Sequence, residues 1–243
     1  MKDDHIIQAQ GLSKVFGPTT ALKSVSLETG RGEIFGLIGS DGAGKTTLIR
    51  ILATVMAPSQ GHARIAGWDT QRDRRQIKHL IGYMPQQFGF YGDLTVLENM
   101  CFFSDVYGIP KKEQAPRFRR FLGFSGLLPF GDRLARNLSG GMKQKLGLAA
   151  VLVHLPEILI LDEPTNGVDP VSRQEFWDIL REMKSQGLSI FVSTSYLDEA
   201  EFCDRVALLH QGRLLAVDTP EVLRGPHETV EQAVIERIGG TNE

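Results

Sequence analysis

Short runs of apolar and β-branched residues recur along the chain, each bounded by turn residues and several followed by helical spacing. The pattern predicts strands over residues 6–10, 24–28, 33–38, 62–65, 81–84, 158–161, 189–193, 205–210 and 213–217. Gln211-Gly212, between the last two, reads as a hairpin turn. The runs from Glu33, Ile158 and Ser189 are continuously apolar, as strands of a parallel sheet covered on both faces must be. They are expected at the centre of an α/β fold.

Residues 94–155 change to helical spacing and carry Phe102, Phe103, Tyr107, Phe118, Phe121, Phe124 and Phe130, which predicts an inserted helical subdomain. Within it, residues 111–120 are basic and polar, the mark of a solvated helix face. After Pro220, the spacing of Val230, Ala233, Val234 and Ile238 predicts one short amphipathic helix, about 228–239, stopped by Gly239-Gly240 before the polar end GGTNE. The longest apolar stretch, residues 146–161, is broken by His154, Pro156 and Glu157, so no spanning helix is expected. The opening MKDDHIIQAQ carries acids and lacks a long apolar run, and no secretory leader is expected from it.

With 243 residues, 42% hydrophobic and 23% charged, the composition excludes a disordered chain and a collagen, and the length allows one large or two small domains. A net charge of −2 gives no reason to expect nucleic acid as a partner. Two cysteines, Cys101 and Cys203, are too few for a disulfide framework and point to a reducing, cytoplasmic setting. The six histidines are scattered without ligand spacing, so no histidine-based metal site is expected. Gly123-Phe124-Ser125-Gly126 misses the spacing of an esterase nucleophile turn and reads as a loop.

The sharpest chemical signal is GSDGAGKTT: Gly39, Ser40, Asp41, Gly42, Ala43, Gly44, Lys45, Thr46 and Thr47. It fits the P-loop pattern and sits between an apolar strand and a helical run. Glycines let backbone N–H groups turn inward, the next helix points its positive end at the same place, and Lys45 supplies a charge for β- and γ-phosphates. The Thr46 hydroxyl is placed for Mg²⁺. A P-loop NTPase core that binds a nucleoside triphosphate follows.

ILILDEP ends an apolar strand in two carboxylates, and strand ends of open parallel sheets are where ligands sit. Asp162 is expected to hold Mg²⁺. By the period of two, Glu163 is expected on the opposite face of the strand, with a separate job as the general base for an attacking water. A solvated pair at a strand terminus is the bland alternative.

LSGGMKQKL, residues 138–146, has no role in a generic P-loop protein, yet Ser-Gly-Gly at a helix start offers an anion N–H groups and a hydroxyl. Together with GAGKTTL, YMPQ, LTVLEN, DEPTNGVDP and SYLDEAE it resembles the signature of ABC ATPases, in the expected order and over nearly the whole chain. The likeness is strongest to the ATP-binding subunits of bacterial ABC exporters, drug and multidrug branch. That resemblance implies the ABC ATPase fold as one nucleotide-binding domain over residues 1–243: a P-loop core with an N-terminal antiparallel β subdomain and an inserted α-helical subdomain. It implies ATP and Mg²⁺ as cofactors, and hydrolysis of ATP to power export by a separate membrane-spanning subunit, on the inner face of the cell membrane. It also implies a second ABC ATPase domain, met head to tail as a homodimer, a heterodimer or the other half of a tandem protein. Ser139, Gly140 and Gly141 would then reach ATP held by that second domain, and Asp169 would lie in the loop coupling the two sites. Met142 stands where the family usually has glutamine.

By the same resemblance Phe16 matches the aromatic that stacks on adenine, although a lone Phe at a strand end is also a common core residue. Gln86 matches the glutamine that bridges Mg²⁺, the water and the membrane-facing surface, with Gln87 as competitor. Phe88, Phe90, Tyr91 and the aromatics of the helical insertion either line a docking groove for the membrane subunit or belong to the core. Departure from the family comes at STSYLDEAE, where Ser195 replaces the expected histidine. Serine is several ångströms shorter, and loss of one donor to transition-state charge costs about 10²- to 10³-fold in rate. The expectations are an asymmetric pair with one slow site, or a smaller loss if a water bridges.

Two alternatives stand beside this reading. A soluble ABC ATPase acting on DNA or ribosomes would carry coiled-coil arms, zinc motifs or basic linkers, and the sequence has none. A nucleotide-gated module with little hydrolysis is favoured by Ser195 and opposed by the intact Glu163.

Overall fold

The three continuously apolar runs lie side by side as parallel strands with every residue buried. The computed structural model describes residues 4–239. In chain order its elements are β1 (His5–Phe16), β2 (Thr19–Gly30), β3 (Ile34–Ile38), α1 (Lys45–Leu52), β4 (Gln60–Ile65), β5 (Trp68–Asp69), α2 (Arg74–Leu80) and β6 (Ile81–Met84). There follow α3 (Val96–Val106), α4 (Lys111–Phe124), α5 (Gly140–Leu152), β7 (Ile158–Asp162), α6 (Pro170–Ser185) and β8 (Ser189–Thr194). The chain continues through β9 (Arg205–His210), β10 (Arg213–Asp218), α7 (Pro220–Arg224) and α8 (Val230–Gly239).

Two sheets result. One has the order β2-β1-β4-β5 and is antiparallel throughout; the other, β10-β9-β3-β8-β7-β6, is parallel except for the β9–β10 hairpin. Positive φ at both Gln211 and Gly212 gives that hairpin the backbone twist such a two-residue turn requires.

Side-chain alternation decides what covers the larger sheet. Ile34, Ile38, Leu159, Leu161, Ile190 and Val192 face a core shared with α5 and α6, including Leu148, Trp177 and Leu180. Phe35, Leu37, Ile158, Ile160 and Phe191 face the other way, into a core closed by α1 and the antiparallel sheet. Across neighbouring strands the Phe35 and Phe191 rings stack with centroids 5.5 Å apart. Burying each such side chain contributes about 1.5–3 kcal/mol, which is why a polar residue in these runs is confined to their ends.

Helices α3 to α5 occupy the segment expected to be helical. A capping box, Thr95 with Glu98, starts α3. Helix α5 packs on α3 and α4 on one side and on β6 and α6 on the other, so it belongs to the helical segment and the sheet core alike. The predicted groove aromatics divide. Phe118 and Phe121 are buried, and Phe88, Phe90, Phe103, Tyr107, Phe124 and Phe130 pack against the core. Tyr91 and Phe102 meet edge to face at 4.5 Å on the surface.

Three expectations need correction. Strands β1 and β2 are longer than the apolar runs, because their flanks alternate with polar, half-exposed positions and their register shifts blur the period. The two-residue β5 is too short to show a period at all. The C-terminal piece holds two helices: α7 begins at a Thr219 cap with Pro220 in its first turn, and α8 buries Val230, Ala233 and Val234. Gly240, half of the expected stop, lies outside the described residues with the polar end, as does the Ile238 side chain.

Candidate active site

Parallel pairing of β3, β8 and β7 sets their C-terminal ends at one edge. Register places Ile38 opposite Thr194 and Asp162 opposite Ser193, so the residues just beyond the three strands converge. Gly39, Glu163 and Ser195 are those residues.

The P-loop turns from β3 into α1 at Gly44, which caps the helix at φ 109°. A side chain there would meet the Ala21 carbonyl at 2.6 Å, so glycine is required by both conformation and space. Lys45 is buried and folds back over the loop. Its ammonium donates to Gly39 O at 2.7 Å, Ser40 O at 3.1 Å and Ser195 Oγ at 3.0 Å, and pairs with Glu163 Oε1 at 3.0 Å. A cavity of about 170 Å³ lies here, lined by Ala21, Gly42, Gly44, Lys45, Thr46 and Glu163. A larger cleft of about 340 Å³, among Phe121, Leu152, Leu155 and Leu188, lies beside the opposite ends of β7 and β8 and holds none of the motif residues.

Asp162 is buried beneath α1. Thr46 Oγ1 and Ser193 Oγ both donate to its Oδ1, at 3.1 and 3.0 Å, while Oδ2 is buried with no partner. Burial pushes its carboxyl above the usual range, opposed by the Ser193 and Thr46 hydrogen bonds. An unpartnered buried carboxylate oxygen is costly, and beside a Thr hydroxyl it suits a hard divalent cation that takes oxygen ligands. The residues present therefore fit Mg²⁺.

Glu163 does not follow the strand period. Strand β7 ends at Asp162, and Glu163 sits at φ 47°, which swings its side chain toward the P-loop instead of the opposite face. Both acids thus approach the start of α1, Asp162 at Thr46 and Glu163 at Lys45. Glu163 Oε2 accepts from Gln86 at 3.2 Å and from Asn166 at 3.1 Å; Oε1 accepts from Ser195 at 2.9 Å. Gln86, not Gln87, reaches the cluster.

Ser195 Oγ also lies 3.0 Å from Asp41 Oδ1. The short side chain thus reaches the P-loop and Glu163 without a bridge. Phe16 is 45% exposed at the end of β1, outside the core, with the Lys14 ammonium 5.1 Å from its ring centre.

The other predicted residues stand apart from this cluster. Ser139 caps α5 by accepting from Met142 N–H, and Asp169 caps α6 by accepting from Ser172 N–H, a bond that holds the Asp169 carboxyl below the usual range. Ser139, Gly140 and Asp169 are exposed and make no hydrogen bond to the P-loop cluster among the described residues. Gly141 is buried against α6, where a side chain would meet Ser172 at 2.6 Å.

Sequence reasoning missed several members. Ser193 bonds Asp162 and also accepts from the Glu163 N–H; its place near the end of β8, two residues before Ser195, was the available signal. Fully buried Glu199 accepts from Thr165 Oγ1 at 2.8 Å and Arg173 Nε at 3.1 Å. Arg173 also pairs with Asp198 and lies over the Tyr196 ring at 4.1 Å, tying the segment after Ser195 to the loop that carries Asp169. Such pairings between distant segments leave no periodic trace.

Similarity to known proteins agrees with this geometry. Residues 22–166 match the family model described as ABC transporter. The chain is 40% identical over 242 residues to "Probable multidrug ABC transporter ATP-binding protein YbhF" of Escherichia coli strain K12, covering 97% of this chain and 42% of the relative's length. It superposes with TM-score 0.85 on the ATP-binding subunit of an ABC transporter, at 27% identity over 96% of this chain and 99% of that one. A bacterial ABC transporter cassette solved as a dimer matches with TM-score 0.80 and 26% identity, over 90% of this chain and 99% of that one. With the P-loop, paired acids and Ser-Gly-Gly helix start in this arrangement, the chain belongs to the ABC transporter family and is an ATP-binding domain of that family.

Proposed function

We propose that the domain binds MgATP at the P-loop, shares it with a second ABC ATPase domain and hydrolyses it to drive export through a membrane-spanning subunit. The observation carrying this is the convergence of Lys45, Thr46, Gln86, Asp162, Glu163 and Ser195 at the ends of three adjacent strands. Lys45 and the loop amides of residues 39–47 hold the phosphates, and Phe16, exposed at its strand end, stacks the adenine. Thr46, Gln86 and Asp162 hold Mg²⁺. When bound, the ion neutralises phosphate charge. Glu163 orients the attacking water and takes its proton.

Ser139, Gly140 and Gly141 face the nucleotide of the second domain, and Asp169 couples the two sites. The exposure of Ser139, Gly140 and Asp169 and their separation from this chain's own P-loop cluster support the shared arrangement, as does the dimeric relative. Among the described residues no helix is long and apolar enough to cross a membrane, which suits a peripheral domain held at the inner face of the membrane by a partner. The relative named as a probable multidrug ABC transporter ATP-binding protein points to drug-like cargo, and export is the direction this reading gives it.

Ser195 favours a second reading for the pair as a whole: this P-loop forms a slow, clamp-like site, and residues 139–141 and Asp169 complete a faster one on an unequal partner. Glu163→Gln tests the shared-site mechanism. The variant is expected to keep ATP bound and to form a dimer at saturating MgATP by analytical ultracentrifugation. A monomer under those conditions counts against it.

A further inference from the structure

The turn between β9 and β10 touches the P-loop. Its Gly212 N–H donates to Ala43 O at 2.9 Å, and its Gly212 carbonyl accepts from the Lys23 N–H of β2 at 2.8 Å. One residue thus ties the phosphate loop to a strand of the antiparallel sheet by main-chain hydrogen bonds on both sides. The contact leaves no slack. A Cβ on Gly212 would stand 2.7 Å from Ala21 O, and a Cβ on Gly44 would stand 2.6 Å from the same oxygen, so the Ala21 carbonyl is held between the hairpin and the start of α1.

Strand β2 carries that contact toward the base. It is an edge strand, and Lys23 has no register partner on β1, so its N–H turns to the hairpin. Two residues before Ala21, Thr19 pairs with Phe16 across the β1–β2 turn. Phe16, the exposed ring read as the adenine platform, is therefore joined to Ala43 by a short run of backbone, along β2 from Thr19 to Lys23 and then through Gly212. Base and phosphates of one nucleotide are joined by a ribose of fixed size, and a site that grips both gains affinity only when its two grips are already spaced to match. Main-chain bonds suit that task, because no side-chain rotamer has to be fixed to make them.

We infer that Gly212 is a positioning residue for nucleotide binding: its main-chain bonds to Lys23 and Ala43 set the spacing between the Phe16 ring and the phosphate loop, and with it the preference for a nucleotide over a bare phosphate anion. The inference rests on the proposed role of Phe16 and adds a part for a hairpin that lies outside the P-loop motif.

The test is isothermal titration calorimetry of the full chain with MgADP, which engages both grips without being hydrolysed, and with magnesium pyrophosphate, which engages the phosphate loop alone. Lys23→Pro deletes the N–H that reaches Gly212 and leaves the Gly212–Ala43 bond in place, and an edge strand tolerates proline where the N–H faces away from its sheet. This variant is expected to raise the Kd for MgADP about threefold to tenfold, the worth of one hydrogen bond, while the Kd for pyrophosphate stays within about twofold of the parent's. Lys23→Ala keeps the N–H and is expected to keep the parent's ratio of the two constants. Gly212→Ala, whose Cβ would press on Ala21 O, opens the same contact without proline and is expected to give the Lys23→Pro result, with the urea midpoint showing that each variant is folded. Equal losses for MgADP and pyrophosphate, unchanged binding of both, or a Lys23→Ala ratio that matches Lys23→Pro overturns the inference. Phe16→Ala separates the two levels. A ratio left at the parent's value in that variant removes the adenine platform and the inference with it, whereas a ratio lowered there but not in Lys23→Pro or Gly212→Ala removes only the inference.

Discussion

Ser195 Oγ lies 2.9 Å from Glu163 Oε1, although the two residues follow different strands and are 32 positions apart. The bond exists because β7 and β8 are parallel neighbours whose C-terminal ends are level. It puts the departure from the family pattern in direct contact with the carboxylate read as the base.

Replacing that serine is the most direct probe of the site. Ser195→His restores a longer donor, and turnover of the isolated chain is expected to rise at least severalfold, toward the about 10²-fold that one well-placed donor supplies. Comparable turnover in the two proteins, at similar ATP affinity, removes the proposed consequence of the substitution.

Asp162→Asn separates stability from activity. The charge is buried and its Oδ2 is bare, so the ligand-free variant is expected to be as stable as the parent or up to about 1 kcal/mol more stable in urea titration. Mg²⁺-dependent turnover should fall by about 10²-fold or more, because the carboxylate facing the ion is lost. Retained activity would place Mg²⁺ elsewhere.

Gly141→Ala tests whether the helix start at Ser139 is fixed by packing. The added Cβ would stand 2.6 Å from Ser172, and relieving that overlap should cost about 1–3 kcal/mol or shift α5 against α6. The readout is the urea midpoint together with ATP-driven dimer formation. An unchanged midpoint and unchanged dimerisation would mean the contact is soft.

Glu199→Ala removes the fully buried member of the Thr165–Glu199–Arg173 network and leaves part of the Arg173 guanidinium unpaired. A loss of about 3 kcal/mol is expected by denaturant unfolding, as for other broken buried ion pairs. A loss under about 0.5 kcal/mol would show that Asp198 carries the arginine alone.

Much of this protein was legible in its sequence. Continuous apolar runs identified β3, β7 and β8 as central strands, because a strand covered on both faces tolerates no polar position along its length. Glycine and lysine spacing identified the P-loop, since the turn from β3 into α1 needs residues without Cβ at local positions. The helix start at Ser139 was visible for the same reason: a helix start is decided within four residues.

What the tertiary structure alone decided is everything that depends on which strand lies beside which. The period of two assigned Glu163 to the wrong face, because it assumes the strand continues, whereas the chain turns at φ 47° to meet Lys45. Asp41 and Ser195 are 154 residues apart in sequence, and no local pattern joins them. Nor does one foretell that Ser195, Gln86 and Asn166 donate together to the Glu163 carboxylate beside the Lys45 ammonium. Periodicity and caps record forces that act within a turn or two of the chain. Hydrogen bonds across a sheet edge record the order in which strands pair, and that order is set by the whole core at once.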